Sequence, residues 1–225
     1  MDWFDLASSV AVLLVALSVH ESAHAWTADR LGDPTARHLG RVSLNPLVHA
    51  DLFGTFLFPL MGYFAGFVFG WAKPVPVNTA NLRNPRRDHT IVAAAGPLSN
   101  VALALACFAV LFTMKASSDS MELLVNQAIR GFGNSGGAGS VFVPLASLAY
   151  KGLVINILLA IFNLIPVAPL DGAAVVSGLL PPALARPFDS IQQYGFIILI
   201  AMLVWGLPAY LFTPVLGTVR SFLVL

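Results

Sequence analysis

"SVHESAHAW", residues 18–26, closes an apolar run in which Val10 to Val19 holds nothing more polar than one serine. Two imidazoles and a carboxylate are costly in hydrocarbon, so the cluster needs a partner strong enough to offset its desolvation. His20 and His24 stand four apart. On a helix that spacing stacks them a turn apart on one face, both able to reach a single ion. Glu21 lies about a third of a turn from His20, where it can touch a water on that ion without being a ligand. Neutral imidazoles suit zinc, and a nearby carboxylate suits removal of a proton from the activated water. H-E-x-x-H therefore predicts a zinc-hydrolase site.

The rest of the chain places that site in a membrane. Of its 225 residues, 57% are hydrophobic and only 10% charged, and the mean hydropathy is +0.80. A soluble domain needs more charge than this on its surface. Apolar stretches of about 20 residues or more, long enough to cross a bilayer, run over Leu6–Trp26, Thr90–Met114, Leu145–Ile165 and Ile191–Phe212. The length predicts one intramembrane domain over 1–225, with a core at about 6–180 and a C-terminal helix at about 191–212. A net charge of +1 argues against a nucleic-acid partner, and the single cysteine, Cys107, excludes an intrachain disulfide. The acidic start, MDWFDLASS, is unlike a basic secretory leader, so the first apolar helix is expected to be retained.

Between the spans lie less regular segments. Residues 28–51 are polar and too broken by Gly and Pro for a long helix. Residues 52–70 are apolar but interrupted by Gly54, Pro59, Gly62, Gly66 and Gly70. WAKPVPVN, residues 71–78, reads as an extended edge-type segment. Residues 115–143 form a mixed loop with an amphipathic patch. The expected fold is an all-α polytopic membrane protein of about four transmembrane helices, with a re-entrant segment and a short membrane-associated β-loop.

Two histidines leave a catalytic zinc one protein ligand short of the usual three. Asp171, in NLIPVAPLDG, is the best remaining candidate. It follows an apolar helix broken by Pro166 and Pro169, and such freed backbone is tolerated at membrane depth only where protein or a cavity surrounds it. Taken alone, LDG reads equally as a helix-ending turn at the membrane surface. Asn156 reads as interhelical hydrogen-bond glue. Asn100, behind Gly96 and Pro97, reads as a cap or packing contact, with a substrate-facing role as the other reading. His49 and Asp51 read as loop hydrogen-bonding groups, with a second metal site as the alternative. His38 and His89 neighbour basic residues and suggest no special role.

HESAH in one span and NLIPVAPLDG in a later one resemble the site-2 protease family, peptidase family M50. AAGPLSN, residues 94–100, and FGWAKPVPVN, residues 69–78, match two further signatures of that family. The resemblance runs from about Ser18 to Gly172. It implies an intramembrane zinc endopeptidase with one zinc ion per chain held by His20, His24 and Asp171. It further implies Glu21 as general base and Asn163 near the substrate or oxyanion. Many members carry PDZ or CBS domains, and this chain looks like a minimal member without either.

If the three ligands share one ion, the helices that carry them end on the same membrane face. That requires an odd number of full crossings between them, of which residues 90–114 supply one, and favours a re-entrant hairpin for 52–70, with a 19-residue span as the alternative. The basic loops on both sides of 52–70 then lie in the cytoplasm, with the metal toward that side of the cell membrane. The expected partners are the lipid bilayer and membrane-protein substrates with a transmembrane helix; the sequence leaves the oligomeric state open. An unwound substrate could pair with the edge of 71–78 at Val75 and Val77. Two rival functions remain at this level: an ion or proton pathway using intramembrane His, Glu and Asp, and a zinc-binding pseudoprotease scaffold.

Overall fold

The computed structural model describes residues 3–64, 70–129 and 141–224. The first helix, α1, spans Trp3–Arg30. Two one-turn helices follow, α2 (Thr35–His38) and α3 (Pro46–His49). A π-helical turn over Leu52–Leu57 runs into α4 (Phe58–Phe64). A 3₁₀ turn at Thr79–Asn81 precedes the long α5 (Pro85–Ser117), then α6 (Asp119–Ile129) and α7 (Phe142–Asn163). Four further helices complete the chain: α8 (Asp171–Leu179), α9 (Pro182–Gln192), α10 (Gly195–Val204) and α11 (Leu207–Val224).

Among the described residues, α1, α5 and α7 are long and apolar enough to cross a membrane, and α9 with α10, bent by 70°, could make a fourth span. Polar contacts fix their directions. From the middle of α7, Lys151 pairs with Asp5 at 2.7 Å and donates to Ser8, both at the start of α1. Further along α1, His20 meets Asp171, which the loop after α7 delivers, so α1 and α7 run parallel. Between them α5 runs the other way, matching Asn100 to Asn156 and Cys107 to Gly152 of α7. Small residues let these backbones approach: Ala104, Ala146, Ala149 and Ala160 are buried, and a Cβ on Gly152 would press on the Cys107 sulfur. The outer face of α5 carries Leu98, Leu105 and Phe112, a heptad-spaced exposed stripe suited to lipid.

The expected β-loop is absent: no β-strand occurs among the described residues. Residues 71–78 are extended, but Pro74 and Pro76 have no N–H to give to a ladder. Several of the groups that remain are taken by neighbouring side chains and loops. The Trp71 N–H donates to the Gly54 carbonyl, and its own carbonyl accepts from Thr55. The Lys73 N–H donates to the His49 carbonyl, and the buried Arg41 guanidinium donates to the carbonyls of Lys73 and Pro74. The bond between Trp71 and Gly54 also brings the two ends of 52–70 together, so this segment returns to the level at which it left. Within it, residues 65–69 lie outside the described residues.

The single helix expected over about 191–212 is also corrected. Residues 191 and 192 end α9, and the apolar run is cut between Val204 and Leu207. Gly206 adopts φ +69°, a left-handed conformation that ends a helix, and Pro208 then sits in the first turn of α11.

A polar cap closes the end of α1, with Asp33 at its centre. This fully buried carboxylate accepts from the Thr35 N–H and hydroxyl, the Asn78 N–H and the Asn81 amide. Burial pushes its pKa up, but those hydrogen bonds outweigh burial and hold it below 3.8. Asp33→Ala strands several donors and should cost about 1–3 kcal/mol of stability at neutral pH. Because the folded pKa is depressed, this contribution is full above the unfolded value and is lost as pH falls through the folded one. Thermal melts should therefore show the gap between wild type and variant narrowing below about pH 4.

Candidate metal centre

Helix α1 carries His20 and His24 on the face turned toward α5, and both are buried. Their Nε2 atoms lie 3.1 Å apart, with the rings nearly perpendicular at 83°. Each Nδ1 faces a carbonyl oxygen: Asn100 Oδ1 at 2.6 Å for His20, and the Val92 backbone at 2.7 Å for His24. The orientation of the Asn100 amide is set independently, because its nitrogen donates to the Ala16 carbonyl and to Asn156 Oδ1. Asn156 is anchored in turn through the Gly152 carbonyl. Carbonyl oxygens only accept, so each Nδ1 carries a hydrogen, and in the neutral ring each Nε2 then presents a lone pair.

Asp171, the first residue of α8, brings Oδ2 to 3.1 Å from His20 Nε2 and 3.3 Å from His24 Nε2. That oxygen is buried and has no hydrogen-bond donor. With both rings neutral, three lone-pair atoms converge with no hydrogen among them, an arrangement that a shared cation relieves. Ligands bound tetrahedrally to zinc at about 2.0–2.1 Å are about 3.3–3.4 Å apart. The observed separations of 3.1–3.3 Å match, and the neutral-imidazole and carboxylate donor set suits zinc. His20, His24 and Asp171 therefore form a cluster able to coordinate one zinc ion.

The glycines around the cluster serve close approach. A Cβ on Gly96 would overlap both imidazoles, so α5 can lie against His20 and His24 only with glycine there. A Cβ on Gly172 would overlap the carbonyls of Leu164 and Ile165, where the start of α8 packs on the end of α7. The AAGPLSN motif thus has a local meaning: Gly96 makes room for the rings, and Asn100, one turn on, aims one of them.

Glu21 does not join the three ligands. Its Oε2 accepts the Val75 N–H at 2.8 Å, which fastens the extended segment to α1 beside the cluster. Val77 packs with the apolar group of Ala28, Leu82 and Val92. Asn163 donates to the Leu159 carbonyl of its own helix. His49 is buried against the Ser43 carbonyl and Ser22, while Asp51 caps the turn that begins at Leu52. His38 is exposed. Half-buried His89 lines a cavity of about 310 Å³ with Arg86, Ala173, Ser177 and Gln192. The Val92 carbonyl, which holds His24, escapes sequence reasoning because a backbone group leaves no mark in residue type.

Two substitutions test this geometry. Asn100→Leu removes the acceptor for His20 Nδ1 and should weaken zinc binding about 10- to 100-fold in chelator competition. Gly96→Ala drives a methyl into both rings and should abolish stoichiometric zinc. Asn163→Leu, which touches neither ring, should leave zinc affinity at the wild-type value.

Comparison with known proteins agrees with the geometry. The chain is 35% identical over 212 residues to YwhC of Bacillus subtilis, a provisionally named zinc metalloprotease, covering 94% of this chain and 87% of that protein. It is 27% identical over 195 residues to Rip2 of Mycolicibacterium smegmatis, likewise provisionally named a zinc metalloprotease, covering 87% of this chain and 66% of that protein. Rip2 of Mycobacterium tuberculosis H37Rv is similar at 27% over 193 residues, or 86% of this chain and 65% of that one. No solved structure matches. The profile of peptidase family M50 matches residues 8–206, which with the His–His–Asp cluster between membrane helices makes this chain a member of that family of intramembrane zinc metalloproteases.

Proposed function

We propose that the protein hydrolyses peptide bonds within or beside the transmembrane segments of single-span membrane proteins, with Glu21 as general base and the metal centre toward the cytoplasm. The observation that carries the reading is the placement of Glu21. It sits between the two histidine ligands in sequence, and its carboxylate is held by a backbone N–H rather than by a cation. A carboxylate held this way is free to accept a proton.

Zinc bound by His20, His24 and Asp171 would supply Lewis acidity, polarising the scissile carbonyl and acidifying the water beside it. Glu21 exchanges its bond to the Val75 N–H for one to the attacking water, takes the proton and passes it to the leaving amine. Asn100 and the Val92 carbonyl keep both imidazoles in the Nδ1–H form throughout, so the ligands do not compete for that proton. Substrate peptide bonds lie hidden in intrahelical hydrogen bonds until the helix unwinds locally. Asn163, at the end of α7, is the group assigned to the substrate side of the site, and Val75 and Val77 line the segment beside Glu21. The orientation rests on charge. Arg30, Arg37, Arg41, Lys73, Arg83, Arg86 and Arg87 all belong to the end of the bundle that holds the metal centre, and basic loops favour the cytoplasm.

Glu21→Gln tests the assignment, because glutamine still accepts the Val75 N–H but cannot take a proton. Purified Glu21→Gln should retain wild-type zinc content and lose about 10²–10⁴-fold in cleavage of a transmembrane reporter. Turnover equal to wild type would remove Glu21 from the mechanism. Zinc-loaded wild type that cleaves no reporter would favour a binding scaffold, and zinc-free protein that carries ions across liposomes would favour an ion pathway.

A further inference from the structure

The loop that delivers Asp171 runs from the end of α7 to the start of α8 and is poor in its own hydrogen bonds. Pro166 and Pro169 have no N–H. The remaining donors make short local bonds, Val167 to the Ile165 carbonyl at 2.8 Å and Leu170 to the Val167 carbonyl at 3.0 Å. Among the described residues, the hydrogen bonds that tie this loop to an element beyond its flanking helices come from one side chain, Gln192, the last residue of α9. Its Oε1 accepts the Ala168 N–H at 2.7 Å, and its Nε2 donates toward the Pro166 carbonyl at 3.4 Å. One amide thus straddles two backbone groups, as a neighbouring strand would. Three residues on, Gly195 opens α10 so close to Ala168 that a Cβ there would overlap the Ala168 backbone. The 70° bend between α9 and α10 therefore closes around Ala168, three residues before the metal ligand.

From this geometry we infer that Gln192 is a positioning residue for the metal centre: its side-chain amide sets the place of Asp171 by clamping the backbone of residues 166–168. Zinc–ligand distances at a well-formed site fall within about 0.2 Å of their standard values. His20 and His24 share a rigid helix, whereas Asp171 reaches the site through a loop whose hydrogen bonds beyond the flanking α7 and α8, among the described residues, come from this clamp. An error of about 1 Å in a catalytic constellation is enough to cost on the order of 100-fold in rate. The inference rests on the His20–His24–Asp171 site and adds a residue outside it, on the peripheral α9.

Gln192→Met keeps the volume and removes both hydrogen bonds. Gln192→Glu keeps the acceptor for the Ala168 N–H. Gln193→Leu, at the exposed neighbouring position, serves as the control. In full-length protein, Gln192→Met should hold zinc about tenfold or more less tightly in chelator competition. Its cobalt-substituted form should show an altered visible spectrum, and kcat for a transmembrane reporter should fall with KM unchanged. Gln192→Glu should recover most of the affinity and spectrum, and Gln193→Leu should match wild type. Folded Gln192→Met with wild-type zinc affinity and cobalt spectrum would overturn the inference, as would Gln192→Glu no better than Gln192→Met. If Gln192→Met does not fold, Gln192→Glu decides by the same readouts: near-wild-type affinity and spectrum support the clamp, and a tenfold loss overturns it. Failure of the wild type itself to bind zinc is a different result and would remove the metal site, not merely the clamp.

Discussion

Three lone pairs held 3.1–3.3 Å apart in a low-dielectric interior are the constraint around which this molecule is arranged. Without a cation the arrangement is unfavourable. A partly buried carboxylate loses solvation, and two neutral imidazole nitrogens aimed at it add repulsion. Zinc bound by such donors returns on the order of 10–16 kcal/mol where its binding is coupled to folding, enough to outweigh that penalty. The cluster is therefore better understood as the seam that joins the end of α1 to the loop after α7 than as an addition to a finished bundle.

Much of the bundle serves to bring those atoms together. Helix α5 lies antiparallel between its two partners, so one face carries the Val92 carbonyl, Gly96 and Asn100 in succession past the two histidines. The carbonyl and Asn100 fix the tautomers, and Gly96 gives the rings space. The line of amides continues through Asn156 to the Gly152 carbonyl, tying the orientation of a ligand on α1 to the backbone of α7. At the basic end, Asp33 and Arg41 organise loops that would otherwise have few internal partners. Glu21 holds the extended segment by one hydrogen bond beside the metal centre.

The parts of this arrangement legible in the sequence are those where residue type and spacing share one physical cause. Two histidines four apart in an apolar helix have few uses, and Asp171 is one of few acids in apolar surroundings, although LDG alone reads equally as a helix-ending turn. The parallel course of α1 and α7 follows from that pairing once an odd number of crossings is required. The extended segment was harder. Its V-P-V alternation resembles a strand, yet prolines remove the ladder donors, and the partners that replace a strand (Glu21, Arg41, His49 and Gly54) are distant in sequence. Asn100 reads as a cap or packing residue because sequence alone does not show which ring nitrogen faces it. The C-terminal apolar run reads as one helix until Gly206 takes a left-handed conformation, a choice its neighbours do not announce. The role of Gln192 depends wholly on the 70° bend that sets it against the ligand loop.

The coordination of the purified protein tests the central claim most directly. Zinc-edge X-ray absorption combined with metal analysis should show one zinc per chain, with two imidazole nitrogens and a carboxylate oxygen at about 2.0–2.1 Å. Replacing Asp171 with alanine should remove the oxygen shell assigned to the protein. A wild-type protein that binds no zinc, or a zinc shell unchanged by Asp171→Ala, would contradict the account.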